Sequence, residues 1–353
     1  MTSKERVKKA FNREKTDRVP MNYLCNRDID RRLKEHFGLD IEDNEGLYKC
    51  LNVDFRQVFN QYTGKRLHEE IEGCFVDPAL GVTSRWVENE FGGYMDFCYF
   101  PLRNMDMDTA LNWKLPDPED YDYQNFADYV KSHSDYYITY NNQPDIINAN
   151  GRLMGMEDLL AGLILEDKAV LTFVERHFET LYEVLKRTLE KCGDFIDYVW
   201  MGEDLGTQRG PMVSLELFRK HILPFHRKFA ELIKKYDISI MFHSCGSASW
   251  AYDDLIDIGV DVVDALQPEA KDMEPEYLLK RFGDRLGFHG MISTAGPLAY
   301  GTPEDTEKNV LSVLDIMAGQ GYAMAPTHQI QDNSPTENVL RMYKTGYEYN
   351  IKD

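Results

Sequence analysis

The fold class predicted for this sequence is α/β: one (β/α)8 TIM barrel over residues 1–353, with an elaborated N-terminal region. Two observations predict it. After residue 145, short β-rich runs alternate with long helical patterns, the order that builds a parallel sheet with right-handed crossovers. The first strand-like run, DRVPMNYLCNRD, lacks the glycine-rich phosphate turn that an open, doubly wound sheet usually places after its first strand. A closed barrel of this length forms a single domain.

The elements follow in order. Residues 4–12 put Val7, Ala10 and Phe11 at helical spacing, and DRVP ends that helix before an apolar strand over 20–25. Residues 50–110 are aromatic and irregular, with turn signals at Gly92 and Gly93, and read as an elaborated hairpin region. LPDPEDYDY is a surface connection into an amphipathic segment at 126–132. The strands DIINAN, IDYVWMG, ISIMFHSCG, VDVVDALQ, RLGFHG and YAMAPTH then alternate with helices over 165–193, 214–236, 247–259, 274–283 and 302–321. Ser214 suits a helix N-terminus, and Gly193, Gly259, Gly283 and Gly321 suit C-termini.

Composition narrows the function. Sixty acidic against forty basic residues give a net charge of -20, which repels nucleic acid and anionic membranes. No uncharged run of about 18 residues occurs, and the basic N-terminus has no apolar stretch behind it, so neither membrane spanning nor export is expected. Six cysteines without framework spacing fit reduced thiols in the cytoplasm.

In barrels the working residues lie at the C-terminal ends of the strands. Reading those ends yields Glu203 and Asp204 after IDYVWMG, His243, Ser244 and Cys245 in ISIMFHSCG, Gln267 after VDVVDAL, His289 after RLGF, and Thr327, His328 and then Gln331 after YAMAP. His243 and Cys245, one residue apart, project to the same side of an extended segment, as a metal chelate requires. With His328 as a third ligand they would leave one position open, the arrangement of a catalytic zinc. Glu203 and Asp204 must point to opposite sides, one into the site and the other to a loop; the inward one is a further ligand or a general acid/base. His289 is a proton-transfer or supporting group, or fills space; Gln267 contacts substrate or fixes a loop. HExxH, GxSxG, Walker and CxxC motifs are absent.

Taken together, ERVKKAFNREKTDRVP, GEDLGTQRGPMVS, FHSCGS, ALQPEAKDM, FHGMIST, YGTPEDTEKNV and APTHQIQDNSPTENV resemble the uroporphyrinogen decarboxylase superfamily over nearly the whole chain. The resemblance implies a (β/α)8 barrel and two branches, the cofactor-free haem-pathway decarboxylases and the corrinoid-dependent methyltransferases. Where the decarboxylases carry an Arg-Gln-Ala-Gly-Arg element, this chain reads CNRDIDRR, leaving only Arg27 to cover part of that substrate-binding role. The methyltransferase branch is similar in its His-x-Cys, with His328 standing where a later metal cysteine is found. The resemblance therefore implies zinc-dependent methyl transfer between a small methylated substrate (an aromatic methyl ether, amine or thiol) and a corrinoid carried by a partner protein. Substrate contacts would fall to Arg27, Gln267 and Gln331, and catalytic roles to Glu203, Asp204 and His289. The alternatives are a cofactor-free decarboxylase and a non-catalytic barrel that binds a corrinoid or porphyrin.

Overall fold

A computed structural model describes residues 1–90, 92–141 and 145–351. The strands are β1 (Phe55–Val58), β2 (Phe75–Val76), β3 (Thr83–Asn89), β4 (Gly92–Tyr99), β5 (Tyr137–Asn141), β6 (Tyr198–Gly202), β7 (Ser239–His243), β8 (Val262–Ala265), β9 (Gly287–Ile292) and β10 (Tyr322–Pro326). Seven of them form a parallel sheet in the order β1-β5-β6-β7-β8-β9-β10. The residues around Met21 close the ring. The Met324 N–H donates to Pro20 O at 2.8 Å and the Asn22 N–H to Met324 O at 2.9 Å. On the other side the Asp54 N–H donates to Met21 O at 2.9 Å, so this short extended segment lies between β10 and β1 and supplies the eighth side of the barrel.

Helix α1 (Ser3–Phe11) shuts the N-terminal end of the barrel. A capping box between Thr2 and Glu5 starts it, and its buried Val7 packs on Phe55, Tyr137, Tyr198, Met241, Val262 and Ala323, which come from the early positions of the strands. That floor is apolar. One layer higher the inward positions become polar, with His243, Asp264 and His289 side by side in register on β7, β8 and β9. The sheet thus buries a dry base and opens a reactive mouth at the C-terminal ends, as barrels do.

Two elements differ from those expected. DIINAN is not a strand: it leads into the helix Ile147–Met154. Its first N–H groups at Ile146 and Ile147 are taken by the Glu203 carboxylate at 2.8 and 2.6 Å, and the Asp145 side chain accepts from the Asn148 N–H at 2.6 Å. Glu203 satisfies the helix N-terminus from outside the segment and Asp145 from within it, and this overrides the β propensity of its isoleucines. The strand itself is the upstream YITYN. Residues 50–110 do contain a hairpin, β3 with β4, joined by β2 in a separate antiparallel sheet, but they also contain the barrel strand β1. The helical stretch after Ser214 is continuous through a wider π turn at Phe218–Ile222, which precedes Pro224 and accommodates its missing N–H.

The hairpin reaches over the mouth. The Gly93 N–H donates to Asp332 Oδ2 at 3.2 Å, beyond the end of β10, and Arg152, in the helix after β5, sits 5.3 Å from the centre of the Phe97 ring. Among the described residues no helix is long and apolar enough to cross a membrane.

Candidate metal centre at the barrel mouth

Asp204, His243 and Cys245 form the one cluster of possible metal ligands among the described residues, with one donor atom from each lying within 4.8 Å of the others. Cys245 Sγ is 3.5 Å from His243 Nε2, and Asp204 Oδ1 is 3.8 Å from the same nitrogen. Tetrahedral zinc with bonds of about 2.3 Å to sulfur and 2.0–2.1 Å to nitrogen would separate these S and N atoms by roughly 3.5 Å. The pair fits that spacing. The carboxylate needs to approach by a few tenths of an ångström, and a soft thiolate, an imidazole and a carboxylate together match zinc's preferences.

The chain holds each donor deliberately. The Cys245 N–H donates to Asp204 Oδ1 at 3.0 Å, the Gly246 N–H to Gln267 Oε1 at 2.6 Å, and the Leu205 N–H to Ser244 Oγ at 3.0 Å. Asn148 donates to the other Asp204 oxygen at 2.9 Å. Gly246 takes a φ of +69°, and a Cβ on Gly206 would stand 2.4 Å from Ser247 N, so the loops after β6 and β7 meet only because both residues are glycine. Backbone strain gathers here too: Ala265, Leu266 and Met291, at the ends of β8 and β9, have φ values of 78°, 41° and 73°.

Behind His243 lies a buried polar chain. His243 Nδ1 meets Asp264 Oδ2 at 2.8 Å, Trp200 Nε1 donates to the same oxygen at 2.9 Å, and His289 Nδ1 meets Asp264 Oδ1 at 2.5 Å. Burial pushes the Asp264 carboxyl up, yet the two imidazoles facing it hold it well below the usual carboxylate range, so it accepts from all three neighbours. At the far end, Asn22 Oδ1 accepts from the Tyr23 N–H at 2.8 Å, which turns the Asn22 amide nitrogen toward His289 Nε2 at 3.0 Å. Asn22 therefore donates, Nε2 accepts, and His289 carries its proton on Nδ1 toward Asp264. The same carboxylate fixes His243 with its proton on Nδ1 and Nε2 free as a ligand. Replacing Asp264 by asparagine is expected to weaken metal binding about 10- to 100-fold, because the amide no longer selects that tautomer. A competition titration with a chromophoric chelator measures it, and unchanged affinity would show that His243 needs no such support.

The other expected site residues fall elsewhere. His328 is exposed just after β10 and stands outside the cluster, where Asp204 takes the third place instead. Glu203 points away from the mouth, fully buried against the start of the helix Ile147–Met154 and against His226 at 3.0 Å. Strand alternation separates it from Asp204. His289 is buried behind Asp264 rather than open to the mouth. Gln267 fixes the Cys245 loop, Gln331 donates to Gln329 O at 2.8 Å, and Arg27 is exposed at the start of the helix Arg27–Phe37. Cys25 is engaged by the Tyr23 hydroxyl at 2.6 Å, and burial pushes its thiol up to about 12. Asp264, Trp200, Asn22 and Asn148 are site residues that the strand-end reading passes over. Asp264 had a visible signal, a charge set between Val263 and Ala265 near the end of the otherwise mostly apolar run VDVVDAL.

The family model for uroporphyrinogen decarboxylase (URO-D) matches residues 147–349, more than half of the chain and all of β6 to β10. The chain belongs to this family. Two curated relatives are methylcobamide:CoM methyltransferases MtbA, from Methanosarcina acetivorans (24% identical over 180 residues) and Methanosarcina mazei (25% identical over 180 residues). Each alignment covers 47% of this chain and 50% of the relative, so the chain spans about half the length of the curated relatives it matches. A solved methyltransferase from Methanosarcina mazei shares the fold with a TM-score of 0.62 at 14% identity, covering 98% of both chains.

Proposed function

We propose that this protein transfers a methyl group between a small methylated substrate and a corrinoid protein, with zinc held by Asp204, His243 and Cys245. The observation that carries this reading is the 3.5 Å approach of Cys245 Sγ to a His243 nitrogen whose tautomer is already set by Asp264. The names of the curated relatives support it. Zinc bound there supplies a Lewis acid that acidifies a thiol or improves a methylated heteroatom as a leaving group.

The chain's own residues do the rest. His243, at the end of β7, and Cys245, just beyond it, would donate from a segment pinned at the Cys245 and Gly246 N–H groups and at Ser244 Oγ, so little ordering remains for the moment of binding. Asp204, oriented by Asn148, supplies a labile third donor that leaves room for substrate. Trp200, with its ring centre 4.9 Å from that of His243, walls the site on the β6 side. On this reading the polar end of a substrate falls to Arg27 and Gln331, whose segments are joined by the Asn26–Asp332 hydrogen bond at 3.0 Å.

The test is methyl transfer with free methylcobalamin as the surrogate donor and simple thiols as acceptors, followed by the change in corrinoid absorbance. Transfer that needs zinc and stops on chelation is expected. Zinc-loaded protein that transfers no methyl group to or from cobalamin with thiol, amine or aryl ether partners would overturn the assignment.

A further inference from the structure

Cys74 and Cys98 lie with their sulfurs 3.5 Å apart in the antiparallel sheet that overhangs the mouth. The approach has a structural cause. Between β3 and β4 the register shifts, Thr83 facing Tyr99 while Ser84 faces Phe97, so Cys98 is the extra residue of a bulge. Cys74 immediately precedes β2, which pairs with the other side of β3 through Phe75 and Ser84. The bulge brings the two thiols together around the root of β3. Neither cysteine is fully buried, so a small reagent can reach them. The other four cysteines make no such sulfur contact: Cys25 is held by Tyr23, Cys50 is exposed, Cys192 is buried against Thr188 O, and Cys245 belongs to the mouth.

We propose that Cys74 and Cys98 form a reversible dithiol–disulfide couple that sets the stiffness of the hairpin over the mouth. This inference is independent of the proposed activity. The oxidant is a low-molecular-weight disulfide. The thiolate of one cysteine attacks a sulfur of that reagent, its S–S bond breaks, and one small thiol leaves. The second cysteine then attacks the protein sulfur of the mixed disulfide and expels the second small thiol. Two electrons pass from the protein to the reagent, and the two protons finish on the two small thiols. The protein sulfurs must close by roughly 1.5 Å to reach bonding distance, which side-chain rotation supplies. The bond closes a loop whose ends are 24 residues apart, spans β3 entirely, and ties the base of the hairpin whose tip touches Asp332.

The test equilibrates the full chain with reduced and oxidised glutathione at graded ratios, alkylates the remaining thiols and maps them by mass. Expected is a Cys74–Cys98 peptide two hydrogens lighter, formed while Cys192 stays fully alkylatable after denaturation and reversed by dithiothreitol. Cutting at Glu88 and Glu90 by a glutamate-specific protease should slow about tenfold in the oxidised form. Cys74→Ser and Cys98→Ser should each be cut at the wild-type reduced rate under both conditions, the remaining cysteine carrying glutathione. Both thiols alkylated at every ratio, or only glutathione adducts in wild type, overturns the couple. A disulfide that forms without slowing the cuts overturns its mechanical role.

Discussion

Zinc-loaded protein is expected to hold about one metal per chain, and His243→Ala or Cys245→Ala to hold none after dialysis. The expectation rests on the small number of donors: with three ligands within 4.8 Å, removing the imidazole or the thiolate leaves two, too few for the closed geometry that zinc favours. Asp204→Asn should retain metal at reduced affinity, since an amide oxygen can still ligate but carries no charge. His328→Ala should retain it fully, because that side chain lies outside the cluster. The His328 variant separates the arrangement seen here from the ligand set expected of the sequence. Metal lost from His328→Ala but kept in Asp204→Asn would mean that the loop after β10 swings in and displaces the carboxylate. Elemental analysis of the five proteins side by side decides it. Acid should also strip the site: burial lowers the affinity of His243 for a proton, but Asp264 and Cys245 beside it raise it well above the ordinary imidazole value, so protons compete harder with metal as pH falls.

The sequence disclosed the barrel because its second half repeats a strand and helix with little interruption, and the strand-end rule then pointed to His243 and Cys245. It disclosed less where a residue's role depends on a partner distant in sequence. The strand β1 is short and embedded in an aromatic stretch, so no local pattern separates it from the hairpin that follows. DIINAN looks extended until Glu203, 56 residues on from Ile147, supplies the acceptor that starts a helix there. The third donor differs for a related reason: the sequence offers His328, while the structure sets Asp204 beside His243 and Cys245. Whether His328 enters the mouth depends on the path of a loop, which periodicity does not encode, whereas the inward turn of either Glu203 or Asp204 follows from strand alternation alone. The chain behind His243 draws on Asn22, 267 residues from His289, and only closure of the barrel brings the two together.

Glu203→Ala is expected to destabilise the fold by roughly 3–5 kcal/mol, one of the largest single effects available in this chain. The carboxylate is completely buried and accepts from Ile146 N–H, Ile147 N–H and His226 Nε2 at 2.8, 2.6 and 3.0 Å. Truncation strands those donors where water does not reach, each costing about 1–3 kcal/mol. The loss should spread to the mouth, because the helix it anchors carries Asn148, which orients Asp204. Glu203→Gln separates packing from charge. Burial pushes the Glu203 carboxyl up from 4.5 to about 7, with hydrogen bonds from Asp145, Ile147 and Ile146 drawing it partly back. A carboxyl raised in the folded state binds its proton more tightly there than in the unfolded chain. Its contribution is therefore fully present below about pH 4.5 and is lost as pH rises through about 7. Wild type should accordingly lose on the order of 3 kcal/mol relative to Glu203→Gln between pH 5 and pH 8. Urea unfolding at the two pH values measures the difference. Parallel pH dependence in the two proteins would show that Glu203 ionises no differently in the folded and unfolded states.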